Sequence, residues 1–297
     1  MLIDIFQHYL LPALFFTGLL AGTVDAIAGG GGLISLPVLL GFGIPPHLAL
    51  GTNKLQGLFG TASATYSYYR QGSLTRQGLV RGVIFSFIGA AVGATVNQCL
   101  SGDILRKIIP ILLLIVLFYI FFSPKLGDKD VKPKMNEKLF YLIFGTLLGF
   151  YDGFFGPGTG AFWVFILVLF LGYNLLKATA YTKAFNLNTN IAAVIFFAIG
   201  NNIDYKIACV MAVGQLIGGR IGAQLAIKKG VSLIRPVFFI VVTSTIATLI
   251  YRSYATSEWF NSLLKQPYVW VWFGFLVVVV AGIGTSIFIR RRSVLEE

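Results

Sequence analysis

Asp25, Lys54, Asp152, Lys177, Lys183 and Arg220 are charged residues within or beside long apolar runs. A charge held at the middle of a bilayer costs a few kcal/mol or more unless it meets a partner or a water-filled cavity, so residues of this kind mark pathways. Each of two lysines has a retinue of neutral hydrogen-bonding side chains: Thr52, Asn53 and Gln56 beside Lys54, and Thr182, Asn186, Asn188 and Asn190 beside Lys183. Asn186 and Asn190 are four apart and share a helical face with Lys183. Lysine supplies charge and rotatable donors, and Asn and Thr can hold the oxygen atoms of a sulfonate, sulfite or carboxylate. A purely structural ladder of Asn residues between helices is the alternative.

Beside each of two acids lies a cluster of helix breakers, Gly29 to Gly32 after Asp25, and Gly156, Pro157, Gly158 and Gly160 after Asp152. Irregular backbone at membrane depth is tolerated where it is buried in protein or lines a cavity. A helix restarting after such a break, near Leu33 or Ala161, would aim unpaired N–H groups and a positive dipole end into the opening, which suits an anion. Gly30, Gly31, Gly32 and Gly158 are therefore candidate contacts through their backbone. Close helix packing is the competing use of glycine. Asp25 and Asp152 would carry a proton or set the lysine geometry, unless they only cap helix ends at the interface.

The elements that must hold these residues are membrane helices. Of 297 residues 57% are hydrophobic and only 11% charged, against roughly 25% in soluble domains. Apolar runs long enough to span lie near 8–28, 47–69, 78–99, 104–122, 138–155, 177–199, 205–227, 233–252 and 269–289, with shorter stretches at 33–43 and 160–172. The chain also repeats itself. GLLAGTVDAIAGGGG from Gly18 corresponds to GTLLGFYDGFFGPGTG from Gly145, which sets Asp25 on Asp152, and ALGTNK corresponds to ATAYTK, which sets Lys54 on Lys183. Gly89-x3-Gly93 then matches Gly214-x3-Gly218, and both are expected to be helix-packing faces. The segments are a first transmembrane repeat (1–122), a polar cytoplasmic linker (123–137), a second repeat (138–252), and an added C-terminal helix with a basic tail (253–297). If each repeat crosses an odd number of times, most Lys and Arg fall on one side. That favours inverted halves, with the N-terminus outside and the C-terminus cytoplasmic.

Other chemistries fit poorly. The net charge of +12 sits at the ends of apolar runs and not in a patch, so no nucleic-acid partner is expected. Cys99 and Cys209 have no ligand or disulfide partner at a suitable spacing and are expected to be buried packing residues. His8 and His47 lie near run ends, which leaves an intramembrane hydrolase without a metal cluster or a nucleophile–base pair. No metal and no cofactor is expected. Tyr66, Tyr68 and Tyr69 beside Arg70 suggest an interfacial belt, and Arg220 is a lesser candidate for substrate contact. The leader MLIDIFQH lacks Lys and Arg, so the first segment is expected to belong to the mature protein. No phosphate-binding G-x4-G-K-[ST] occurs, so the drive must come from an ion gradient or the substrate's own gradient.

Through GTVDAIAGGGGLISLPVLL, ALGTNKLQG and the second copy YDGFFGPGTGAF with AYTKAFN, the sequence resembles the TauE/SafE family of sulfite-exporter-like permeases, up to about residue 255. The resemblance implies a bacterial inner-membrane permease for sulfur-containing anions such as sulfite, sulfoacetate or other organosulfonates. The resulting expectation is an all-α polytopic membrane protein with two inverted-topology repeats, broken or re-entrant helices and one extra C-terminal transmembrane helix. It would carry a small anion, with or without protons, by alternating access around Lys54, Lys183, Asn53, Thr182, Asn186 and Asn190. Assembly as a homo-oligomer is left open. The alternative is a cation channel or cation/proton antiporter built on the two acids, for which paired lysines have the wrong sign.

Overall fold

A computed structural model of the chain describes residues 2–74, 78–105, 107–109, 111–112 and 129–229, all within one compact unit spanning Met1–Ile246. The expected runs at 233–252 and 269–289, most of 104–122, the start of the linker and the added C-terminal helix lie outside the described residues.

The described residues are helical, with no strand among them. The helices are α1 (Leu2–Ala28), α2 (Gly31–Gly41), α3 (Pro46–Arg70), α4 (Leu79–Cys99), α5 (Glu137–Phe140), α6 (Thr146–Phe154), α7 (Thr159–Leu171), α8 (Leu175–Ile199) and α9 (Tyr205–Lys229). A π-helical turn, Tyr141–Gly145, joins α5 to α6. Segments of α1, α4 and α9, namely Leu11–Ala28, Leu79–Cys99 and Tyr205–Lys228, are long and apolar enough to cross a membrane. Helices α3 and α8 are equally long at 25 residues each, about 37 Å against a hydrocarbon core of about 30 Å. Their Lys, Asn, Gln and Thr side chains lower their hydropathy, and most of these face inward. Thr52, Asn53, Lys54, Gln56, Thr182, Lys183, Asn186 and Asn190 are all buried.

The outer surface is the inverse of a water-soluble one. Val80, Ile84, Ile88, Val92 and Val96 recur every four residues along the exposed face of α4, and Ile191, Ile195 and Ile199 do so on α8. With polar groups inside and apolar groups outside, the described helices are arranged for lipid.

Two helix pairs make close glycine-lined contacts. Gly214, Gly218 and Gly222 of α9 lie against the backbone of Phe15, Leu19 and Thr23 in α1. Gly89 and Gly93 of α4 lie against Thr146, Phe150 and Phe154 of α6 and its N-cap side in the same way. At each of these glycines a Cβ would sit inside contact distance of a carbonyl on the facing helix, so the residue is there for the close approach. In both pairs the glycine repeat of one half packs on the first helix of the other.

Several expectations fail on which way a side chain faces. Cys99 and Cys209 are exposed on the outsides of α4 and α9, not packed inside. Tyr68 is fully buried and donates its hydroxyl to the Ala26 carbonyl at 3.0 Å, while Tyr66 and Tyr69 are exposed. Arg220 is exposed on α9. Lys177 lies in the first turn of α8, where it pairs with Asp130 of the linker at 3.2 Å. Hydropathy cannot separate these cases, since lipid and protein core are both apolar.

The linker also docks. Asp130 accepts from the Asn174 amide at 2.6 Å, and the Val131 amide donates to the Gly172 carbonyl at 2.8 Å. Partial burial pushes the Asp130 carboxyl up, but the Asn174 amide and the Lys177 ammonium outweigh it and hold the pKa below the ordinary value. A depressed carboxylate supports its contact above the ordinary carboxylate range and loses it as pH falls through the lowered value. Asp130→Asn at neutral pH should therefore reproduce the acid effect, and faster hydrogen exchange at the Val131 amide is the expected readout.

Candidate functional site

Asp25 sits in the last two turns of α1, just ahead of the break. Gly29 has φ +77°, a conformation open to glycine, and the chain restarts as α2 at Gly31. The second break is built alike: α6 ends after Asp152, Gly156 and Gly158 have φ +98° and +83°, and α7 starts at Thr159. Both glycine clusters thus interrupt helices. The two breaks also touch, since a Cβ on Gly29 would fall 2.5 Å from the Gly160 Cα, and one on Gly32 would fall 3.2 Å from the Pro157 Cα.

Each acid is paired with a lysine far away in sequence. The Lys54 ammonium on α3 donates to Asp152 Oδ1 at 2.6 Å, and the Lys183 ammonium on α8 donates to Asp25 Oδ2 at 3.0 Å. These residues are 98 and 158 positions apart in sequence. Lys54 and Lys183 side chains are 3% and 0% exposed, so the charges are held by each other and not by water. Around Asp152 the Thr189 hydroxyl donates to Oδ2, and Thr159 Oγ1 lies 3.3 Å from Oδ1 while donating to the Gly156 carbonyl at 2.6 Å. Around Asp25 the Gly31 amide, first in α2, donates to Oδ1 at 3.3 Å.

A cavity of about 40 Å³ opens beside the pairs. Its lining comprises Asp25 from α1, Gly31 and Gly32 from α2, Asn53, Gln56, Gly57 and Thr61 from α3, Asp152 from α6, Asn186 and Asn190 from α8, and Gln215 from α9. One water needs roughly 10–15 Å³ of such room, so the space suits a small ion or a few waters. Asn53 is fixed from behind, its Oδ1 accepting from Ser35 Oγ at 2.5 Å and from Gln56 Nε2 at 2.9 Å. Asn190 Nδ2 has a long 3.4 Å contact to Thr61 Oγ1. The carbonyl oxygens of Gln56, Asn186 and Gln215 are buried without a partner.

Of the sequence-derived candidates, Asp25, Asp152, Asn53, Asn186, Asn190, Gly31 and Gly32 line the cavity. Lys54 and Lys183 stand behind the carboxylates instead of facing the opening, so it is the acids that meet it. Gly30, Gly158 and Thr182 are buried outside the lining, and the first amides of α7 close local turns, with Thr159 N donating to Gly156 O at 3.1 Å and Ala161 N to Gly158 O at 3.0 Å. Asn188 leaves the cluster, since its Nδ2 donates to Val83 O at 2.7 Å on α4, and Thr52 Oγ1 accepts from the Asp204 amide at 2.9 Å. Thr61, Thr189 and Gln215 were not singled out for the site. A lone glutamine within the Gly214-x3-Gly218 face was the available signal for Gln215, whose Oε1 packs against Gly60 and Gly22.

A helical, lipid-adapted body with a polar cavity and paired intramembrane charges has the features of a membrane transporter. The comparisons agree: residues 14–249 match the family described as Sulfite exporter TauE/SafE, and the chain belongs to that family. It is 42% identical to a protein of Haemophilus influenzae named "Probable membrane transporter protein", over 82% of this chain and 95% of the relative. It is 41% identical to "Probable membrane transporter protein YfcA" of Escherichia coli, over 82% of this chain and 91% of the relative. "Probable membrane transporter protein YtnM" of Bacillus subtilis is 25% identical over 91% of this chain and 92% of the relative. No solved structure matches the chain at a significant level.

The crossed pairs set a stability prediction. Removing one member of a buried pair leaves an uncompensated charge and costs about 3–5 kcal/mol. Lys54→Gln and Asp152→Asn should each lower the thermal midpoint of the purified protein sharply, and the double variant should lose much less than the sum of the two.

Proposed function

We propose that the chain carries a small sulfur-containing anion, such as sulfite, sulfoacetate or another organosulfonate, across a bacterial inner membrane by alternating access. The two halves act as inverted repeats, and α2 and α7 act as re-entrant half-helices. At 11 and 13 residues, about 16 and 20 Å, these two helices are too short to span. The N-terminus is outside and the C-terminus cytoplasmic. One observation carries the reading: the carboxylates of both lysine–aspartate pairs, Gly31 and Gly32 of the first helix break, and the amide side chains of Asn53, Asn186 and Asn190 line one cavity. The family description supplies the substrate class.

In this mechanism the amide groups of Asn53, Asn186 and Asn190 orient the anion, and the lysines provide charge. Each lysine is already neutralised, so an anion gains a full positive partner only when a carboxylate lets go. Rocking of one half against the other would run along the glycine-lined α1/α9 and α4/α6 contacts, where close packing permits sliding of whole helices.

A second reading has its own support. The carboxylates of Asp25 and Asp152 line the cavity and the lysines do not, which suits a cation channel or a cation/proton antiporter. Proteoliposome flux separates the two. Wild-type vesicles should take up sulfite or an organosulfonate, and Lys54→Gln with Lys183→Gln should reduce uptake to the level of empty vesicles. Unimpaired anion flux in the double variant removes the lysines from the mechanism, and flux of a cation alone favours the second reading.

A further inference from the structure

The two acids that the repeat makes equivalent are not held equivalently. Asp152 receives two side-chain donors, Lys54 of α3 and Thr189 of α8, with Thr159 Oγ1 of α7 a further 3.3 Å from Oδ1 while its proton goes to Gly156 O at 2.6 Å, and its side chain is 6% exposed. Asp25 receives one side-chain donor, Lys183, and one backbone amide at a long 3.3 Å, and is 15% exposed. The difference is written into the sequence. Thr159 lies seven residues after Asp152, and the residue seven after Asp25 is Gly32. Thr189 lies six after Lys183, and the residue six after Lys54 is Gly60. Both positions whose hydroxyls lie against Asp152 are glycines, Gly32 and Gly60, beside the corresponding Asp25 and Lys54.

Two glutamines share the cavity with Asp25. Gln215 Oε1 packs against Gly22, one turn before Asp25 on α1, and against Gly60. Gln215 and Gln56 line the same cavity as Asp25, are 2% and 1% exposed, and their side-chain carbonyl oxygens have no donor among the described residues. A buried acceptor without a donor is costly, and an ionised carboxylate cannot supply one. A protonated carboxyl can. The other groups around Asp25 do not change its charge balance: Tyr68 of α3 is committed to Ala26 O, Lys54 to Asp152 across the cavity, Arg220 of α9 is exposed, and α2 and α7 contribute no titratable side chain.

On the anion-transport reading above, we propose that Asp25 is the proton-carrying residue of the cycle and that Asp152 is a fixed counter-ion of Lys54. A proton from water adds to the Asp25 carboxylate, the Lys183 ammonium turns from Asp25 to the incoming anion, and the new Asp25 O–H donates to a glutamine carbonyl. The Asp25⁻/Lys183⁺ pair becomes neutral Asp25 with a Lys183⁺/anion⁻ pair. The buried charge stays zero, so one proton accompanies each negative charge moved.

The test uses purified full-length protein in two settings. In weakly buffered vesicles holding a pH-sensitive dye, an inward gradient of isethionate, whose charge does not titrate, should acidify the interior with the wild type. Asp25→Asn should lose acidification, Asp25→Glu should retain it, and Thr159→Val with Thr189→Val should retain it. Without any gradient, infrared spectra of the detergent-solubilised protein should show a protonated-carboxyl band rise when isethionate or sulfite is added, and Asp25→Asn but not the threonine variant should abolish it. Acidification or an anion-evoked band that survives Asp25→Asn overturns the assignment, as does a threonine variant that uncouples protons equally. Absence of anion flux and of any anion-evoked band in the wild type overturns the anion reading itself, and the assignment with it.

Discussion

Two lysines and two carboxylates, buried and cross-paired between the halves, are what the rest of the structure is organised around. None of the four could be left in lipid alone, and each finds its partner in the other copy of the repeat. The pairing requires α3 and α8 to lie centrally with their polar faces inward. It also requires both helix breaks to meet, because each acid sits just ahead of a break. The glycine contacts of α9 with α1 and of α4 with α6 then follow as the means of bringing the helices close enough.

The same constraint shapes the electrostatics. A cavity lined by bare helix ends and free lysines would be strongly positive. Here the Asp25 carboxylate accepts the first amide of α2, α7 satisfies its own early amides in turns, and both ammonium groups are occupied. The two pairs leave no net charge at the cavity, so on the proposed anion transport selectivity would rest on neutral amides and on exchange of ionic partners. Such a site can release what it binds, which a deep positive well would oppose.

Much of this was legible in the sequence. Asp25 and Asp152, and Lys54 and Lys183, stood out as equivalent positions because charge is rare in apolar runs and the flanking motifs repeat. The breaks were legible because glycine and proline act locally. The partnership was not: alignment couples Lys54 with Lys183, whereas space couples Lys54 with Asp152, and no spacing rule reaches across 98 residues. Orientation about a helix axis was also hidden. Tyr68 and Cys99 are both compatible with lipid or with core, and only the packing of neighbours decided that Tyr68 turns in and Cys99 turns out. Gln215 faces the cavity while Arg220, on the same helix, is exposed.

Charge exchange within one pair tests the crossed arrangement most directly. Asp25→Lys and Lys183→Asp, made singly, should prevent recovery of monodisperse protein, and made together they should restore it, whereas Asp25→Lys combined with Lys54→Asp should not. Recovery by the mismatched combination, or indifference to either single reversal, would contradict the pairing on which the site is built.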